Sequence, residues 1–324
     1  MRSIIVVCLS PAIDRNYKLP ILTPGALHRC ENPILSAGGK GVNVARVLSL
    51  LGAQVHCLGF FAGENGKYII SDLQQHNVVV DSIALKGETR SSLNLLDQST
   101  GKETEILEAG PVVYPDNMEM FLNRFHQILF RETTPPIVIF SGGVPRGLPN
   151  SVYEDLIGIA KTYRAECFLD SSKEALSYGV KAHPYLIKPN MRELSFITNK
   201  MFNISTAIDE NLIKEIYYET RIFEIPLIAV TLGIEGSLLC VDSKVLYIHP
   251  LELQAVNTIG SGDSFVAGLA FGRANQYTWK QMLELATACA ASNALFEQVG
   301  FIDLQQVKDF QNKVITEEIM IEMN

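Results

Sequence analysis

The sequence predicts an α/β fold, a doubly wound, mostly parallel sheet with helices on both faces, and three observations predict it. Short apolar runs rich in β-branched residues recur along the chain, stretches of helical period lie between them, and two segments depart from this alternation. The runs occupy residues 4–9, 55–60, 137–141, 167–170, 185–188 and 227–231. Continuous apolar runs of this length suit strands buried on both faces, as strands inside a parallel sheet are. The first helical stretch places Val42, Val44, Ala45, Leu48 and Leu51 on one face and stops at Gly52, a residue that readily takes the left-handed turn ending a helix. Further helical stretches cover 65–75, 118–130, 152–163, 210–218, 264–273 and 279–296. Strands alternating with helices are joined by crossovers, so neighbouring strands run parallel.

The two departures, at about 16–35 and 86–111, show alternation and turns but no helical period. Within the second, 92–97 and 103–108 flank residues 98–102 in the manner of a hairpin. With no helix to cover them, both stretches read as small antiparallel strands set outside the main sheet as a lid. No linker, repeat or low-complexity tract divides the chain, so residues 1–324 read as one domain with the β lid as an appendage.

A chain of 324 residues that is 47% apolar buries a sizeable core. Its 27 basic against 35 acidic side chains give a net charge of −8. That balance excludes a nucleic-acid surface, which needs a basic face to displace counterions, but leaves room for a small basic pocket. The six cysteines include no C-x-x-C pair, so neither a zinc nor a redox motif is present. Cys8, Cys167 and Cys240 lie in apolar runs, where a free thiol acts as a small hydrophobe, and the expected compartment is the reducing cytoplasm. Arg2 and the run at 4–9 are too short for a signal peptide and lead into Pro11 and Asp14 without a cleavage site. No run approaches the roughly 18 apolar residues of a membrane helix, so a soluble protein is expected.

Four constellations carry chemistry. In Asn257-Thr-Ile-Gly-Ser-Gly-Asp-Ser-Phe-Val-Ala-Gly268, Gly260, Ser261 and Gly262 form a tight turn into an apolar helix. Successive N–H groups at a helix start suit an anion. Asp263, beside that hollow, is either a general base or a helix cap. In Ser36-Ala-Gly-Gly-Lys-Gly-Val-Asn43, Gly38, Gly39 and Gly41 expose backbone donors while Lys40 and Asn43 offer a cation and an amide, the alternative being a glycine turn with a solvated lysine. Gly41 after the lysine rules out a Walker A loop, and Phe265 in place of a third glycine rules out a Rossmann fingerprint. Lys188-Pro-Asn-Met-Arg-Glu193 follows a strand, whose C-terminal end faces a ligand crevice. There Asn190 and Glu193 reach a nucleotide and its Mg²⁺, or form a capping box, or both. Thr231-Leu-Gly-Ile-Glu-Gly236 would lie beside them, with Thr231, Gly233 and Gly236 admitting a nucleotide or making a plain turn. Arg90 and Ser141 are candidates for an anionic substrate, a lone arginine being more often a solvated surface residue. No G-x-S-x-G elbow or metal-spaced histidine set is present, so hydrolase and metalloenzyme readings have no support.

Together these motifs resemble the PfkB (ribokinase-like) carbohydrate kinase family. Gly38-Gly-Lys-Gly-Val-Asn43 is similar to its first signature and 257–268 to its second, with Lys188-Pro-Asn190 in order between them. The resemblance runs from Ser10-Pro-Ala-Ile-Asp14 to Asn293. It implies a three-layer α/β/α core with a β lid, ATP and Mg²⁺, and phosphoryl transfer to a sugar hydroxyl. By motif match, Asp263 is the base and the amides of 260–262 form the anion hole. Asp14, Gly39, Lys40 and Asn43 match sugar-binding positions. Lys188, Asn190, Glu193, Thr231, Gly233, Gly236 and Asn293 match the nucleotide side, with Glu193 reaching Mg²⁺ through water. Ser141-Gly-Gly-Val-Pro145, Ile187-Lys-Pro-Asn190 and Gly87-Glu-Thr-Arg90 look most like the branch of 1-phosphofructokinases and tagatose-6-phosphate kinases. A sugar phosphate then needs a cationic pocket, which Lys40, Arg90 and Arg29 can supply. The segment Thr104-Glu-Ile-Leu-Glu-Ala-Gly-Pro111 tilts the expectation toward tagatose-6-phosphate. Ser10 and Gly143 depart from the branch pattern. A kinase of an unphosphorylated sugar or nucleoside, and a non-catalytic sugar-phosphate sensor, are the rival readings. Free lid edges predict a homodimer.

Overall fold

Residue order already decides most of the architecture: apolar runs pair into a sheet, and the helical stretches between them must lie on its faces. The computed structural model describes residues 1–202 and 208–321. The chain begins β1 (Ile4–Cys8), β2 (Ala12–Leu19), β3 (Ile34–Gly38), α1 (Lys40–Leu50), β4 (Val55–Ala62), α2 (Gly63–Gln75) and β5 (Val79–Leu85). It continues with β6 (Ser91–Asp97), β7 (Lys102–Leu107), α3 (Pro115–Arg131), β8 (Ile137–Ser141), α4 (Val152–Thr162), β9 (Glu166–Asp170) and α5 (Lys173–Lys181). Then follow β10 (Leu186–Ile187), α6 (Met191–Thr198), α7 (Glu210–Arg221), β11 (Leu227–Thr231), β12 (Ser237–Val241) and β13 (Lys244–Ile248). The last elements are α8 (Ser261–Ala274), α9 (Trp279–Asn293), α10 (Leu304–Gln311) and β14 (Thr316–Met320).

Among the described residues, ten strands form the main sheet in the order β14-β13-β12-β11-β10-β9-β8-β1-β4-β5. From β11 to β5 every pairing is parallel, while β12, β13 and β14 add an antiparallel edge. Period-two alternation sends Ile5, Val7 and Leu9 into one core with Phe121, Phe125 and Tyr153, and Ile4, Val6 and Cys8 into the other with Val44, Phe265 and Leu283. Helices α3 to α7 therefore cover one face and α1, α2, α8, α9 and α10 the other, giving the three-layer α/β/α arrangement. The chain leaves β1 toward β4 and β5, then returns to build β8 and β9 on β1's other side. That reversal opens a crevice at the carboxyl ends of the strands.

The smaller sheet has the order β3-β2-β6-β7. Its strands do not all run antiparallel as expected: β2 and β6 are parallel, from Ile13 opposite Ser91 to Leu19 opposite Asp97. The chain between them passes through α1, β4, α2 and β5, a crossover long enough to restore direction. Only the directly joined pairs, β2 with β3 and β6 with β7, are antiparallel. The lid also starts at Ala12 rather than at 16 and ends its second strand at Gly38, so it is rooted directly in the β1 and α1 ends that form the crevice. No helix among the described residues is long and apolar enough to cross a membrane.

Candidate active site

The crevice gathers the sequence motifs because each follows a parallel strand or opens a helix there. Helix α8 starts at Gly260, whose φ of +80° is left-handed backbone. A Cβ at this position would also lie 2.7 Å from Val299 Cγ1, so only glycine satisfies both the turn and the packing. The helix ladder begins with the Ser264 N–H donating to Gly260 O at 2.9 Å, which leaves the first amides of the helix pointing out of its start. Of the expected cradle, the Ser261 N–H is spent on Thr258 O at 3.3 Å. The neighbouring amides are left for an anion, with the Lys188 ammonium close by: Nζ is 3.6 Å from where a Gly262 Cβ would stand.

Asp263 is not a cap, since α8 has no side-chain cap hydrogen bond. Its Oδ2 instead accepts from Asn43 Nδ2 at 2.8 Å, across 220 residues of sequence. The carboxylate is 6% exposed. Burial, with Asp170 adding negative charge nearby, pushes its pKa up to about 6 against the opposing pull of Lys40, Asn43 and Lys188.

Asp170 is the residue that the motif reading passed over. It ends β9, is 1% exposed, and its Oδ1 accepts from Lys40 Nζ at 3.1 Å and faces Lys188 Nζ at 3.2 Å. Burial alone would raise its pKa, but the two ammonium groups outweigh burial and hold the carboxyl below its ordinary range. One carboxylate thereby fixes a lysine from each half of the crevice. The signal was available: an acidic residue closing an apolar strand run at its carboxyl end. Asp170 Oδ2 is buried without a hydrogen-bond partner.

Near the lid, Asp14 on β2 lies against Gly38, where any Cβ would collide with its carboxylate. Burial first, and then the charge of Asp263, push the Asp14 pKa up to about 7, opposed by Arg90 and Arg46. Gly39 opens α1 at φ +87°. The Ile13 N–H donates to Arg90 O at 2.9 Å, seating Arg90 beside Asp14, and Arg90 Nε donates to Ser10 Oγ at 3.2 Å. Ser10, a departure from the family pattern, therefore orients the cation. Ser141 ends β8 opposite Asp170, fully buried, with Oγ unpartnered. Arg29 stands apart, exposed on the long loop between β2 and β3.

On the other side, Asn190 and Glu193 make the capping box in full: Asn190 Oδ1 accepts from the Glu193 N–H and Glu193 Oε2 from the Asn190 N–H, both at 2.9 Å. Glu193 nonetheless faces the crevice, since its charge helps to hold Lys40 protonated. Asn190 bridges to Thr231 in parallel fashion, so these two motifs are neighbours, and Gly233 and Gly236 bound a short 3₁₀ turn just beyond. Asn293 is different. Its amide donates to Ile259 O at 2.9 Å and accepts from the Gly300 N–H at 2.9 Å. It braces the loop before α8 from within.

A sequence model described as pfkB family carbohydrate kinase matches residues 2–301 of this chain. A tagatose-6-phosphate kinase of Staphylococcus epidermidis is 33% identical over 325 residues, covering 98% of this chain and 100% of that protein; a second from another strain of the species is 32% identical over 323 residues, with 98% and 100% covered. Among solved structures, phosphofructokinase-2 from Escherichia coli in complex with substrates and products superposes with a TM-score of 0.87 at 23% identity, over 96% of this chain and 99% of that one. The tetrameric inhibited form of the same enzyme gives 0.85 at 24% identity, over 97% and 99%. These two share the fold.

Proposed function

The chain belongs to the pfkB family of carbohydrate kinases, and we propose that it transfers the terminal phosphoryl group of ATP to a ketohexose monophosphate, tagatose-6-phosphate ahead of fructose-1-phosphate. It is a phosphotransferase acting on a sugar alcohol group. The observation that carries the mechanism is Asp263: a buried carboxylate, at the start of a glycine-opened helix, held by Asn43 on one oxygen and free to meet a hydroxyl with the other.

Phosphoryl transfer needs alignment, charge neutralisation and a proton acceptor more than covalent help. Asp263 takes the proton of the attacking hydroxyl. The amides at the α8 start and the Lys188 ammonium stabilise the charge on the transferred group, the new O–P bond forms, and ADP leaves. Asp170 holds Lys188 and Lys40 in place on one carboxylate oxygen. Lys40 and Arg90 hold the acceptor's own phosphate. Asn190, Thr231, Gly233 and Gly236 line the nucleotide's side.

Mg²⁺ fits these residues, because it takes one or two carboxylates with water and substrate phosphates completing its shell. Glu193, through water, and the unpartnered Asp170 Oδ2 would hold it, and it would neutralise phosphate charge.

The preference for tagatose-6-phosphate is supported by the names of the staphylococcal relatives and by the 104–111 segment. Its Gly110 packs against the Arg90 side chain. We assign a homodimer to the lid: β7 is exposed along its length, with Ile106 and Leu107 49% and 62% exposed. Free thiols throughout, most of them buried, support a cytoplasmic setting.

The test is ATP consumption over tagatose-6-phosphate, fructose-1-phosphate, fructose-6-phosphate and unphosphorylated sugars and nucleosides. The highest kcat/KM is expected for tagatose-6-phosphate. Arg90→Ala raises KM for the phosphosugar about 10- to 100-fold, the worth of a charged hydrogen bond. Turnover of neutral sugars alone, or KM unchanged in Arg90→Ala, contradicts the assignment, and no consumption with any acceptor leaves a sensor.

A further inference from the structure

Arg46 sits in the middle of α1 on its buried face, where the apolar stripe would predict a hydrophobic side chain. It is 0% exposed. Its guanidinium donates to four segments: Nη2 to Ala37 O at 2.6 Å and Asp72 Oδ2 at 2.8 Å, Nε to the same Asp72 oxygen at 3.2 Å, and Nη1 to Val299 O at 3.0 Å and Asn43 Oδ1 at 3.4 Å. β3, α1, α2 and the loop after α9 are thus pinned to one side chain. Burying a charge is costly unless it is paired and hydrogen-bonded, and here it is both.

We propose that Arg46 is a positioning residue for the phosphoryl transfer, fixing the amide of Asn43 so that its NH₂ group, and not its oxygen, faces the base Asp263. A guanidinium has only donors, so it can engage only the amide oxygen. With Oδ1 held by Arg46, Nδ2 is the end left for Asp263 Oδ2. The opposite orientation would set a carbonyl oxygen against a carboxylate and leave a guanidinium donor facing an NH₂. The setting enforces this choice. Asn43 is 2% exposed, and the loop closes over it at Gly300, whose φ is +65° and whose Cβ would stand 2.7 Å from Asn43 Oδ1. Because Val299 O accepts from the same Nη1, Arg46 also holds the loop that packs on Gly260. The base and the anion cradle are therefore set by one buried cation that touches neither substrate.

The inference rests on Asp263 being the base, and its test is separable from that reading. Arg46→Lys keeps the charge opposite Asp72 but loses the fork that reaches Asn43. Its kcat is expected to fall about tenfold or more, with KM for ATP little changed. The acidic limb of its kcat–pH profile should move to higher pH, because Asp263 loses a donor that favours its charged form. In an Asn43→Ala background the same change should cost little further kcat, since the group it acts through is gone. An Arg46→Lys enzyme whose pH profile overlays the wild type, or whose loss is fully additive with Asn43→Ala, overturns the proposal. Failure of the base assignment would show separately, as near-normal turnover in Asp263→Asn.

Discussion

As the proposed base, Asp263 would act by being buried yet still ionised at neutral pH. Burial and the nearby Asp170 lift its pKa to about 6, above the ordinary carboxylate range. A base acts only when unprotonated, so activity is present above that value and lost as pH falls through it. The kcat–pH profile should show an acidic limb near 6, dropping about tenfold per unit below it; a profile flat down to pH 4.5 contradicts the role. Asp263 was legible because G-x-G-D is local. Its pairing with Asn43 was not: the two lie 220 residues apart, and no spacing in the chain reports that contact. Asp170 and Arg46 were missed for a related reason. Each is a single charge in an otherwise apolar run, and what makes it functional is the lysines or the amide that the fold brings to it.

Among the elements, the proposed cradle rests on the α8 start. Gly260→Ala forces a Cβ into left-handed backbone and onto Val299. It is expected to cost about 1–3 kcal/mol in urea unfolding and to lower kcat at least about tenfold. Gly101→Ala, at φ +67° with nothing within 4 Å, is the matched comparison: strain alone, with kcat unchanged. Equal kcat loss in both would mean that the cradle is not special. Helices with a long apolar stripe were legible to within a few residues, as with α1 and α4. The short α5 and α10 were not, since eight or nine residues give too few turns for a period to emerge. Strand β5 was passed over because it is an edge strand, with Val79, Ser82 and Ala84 exposed, and lacks a continuous apolar run. The parallel pairing inside the lid was hidden too, because direction depends on a crossover that the two stretches do not contain.

For the whole molecule, the lid sheet poses the question of what covers it. β7 offers an unpaired edge and the exposed Ile106 and Leu107, and open edges of this kind pair or aggregate. Light scattering should give twice the 35.8 kDa chain mass, and Ile106→Lys should return the single-chain mass. A wild-type monomer removes the lid interface. The parallel part of the main sheet was legible from the apolar runs and the helical stretches between them, because strands buried on both faces must be apolar throughout. The antiparallel edge of β12, β13 and β14 was not, since β12 and β13 follow β11 with no α-helix between them and β14 returns only at the end of the chain. Even so, the crevice followed from the rule that parallel strands present their carboxyl ends to a ligand. Motifs scattered from Asp14 to Asp263 were thereby expected to converge, and they do.

The proposed reaction depends on Asp263 accepting the sugar hydroxyl's proton while the α8 start holds the phosphoryl charge. The most direct measurement is kcat for Asp263→Asn alongside ATP affinity by calorimetry. The variant keeps the shape of the site and its contact with Asn43. A kcat lower by about 10²- to 10⁴-fold with ATP binding retained is expected; turnover within a few-fold of wild type would remove Asp263 from the role of base.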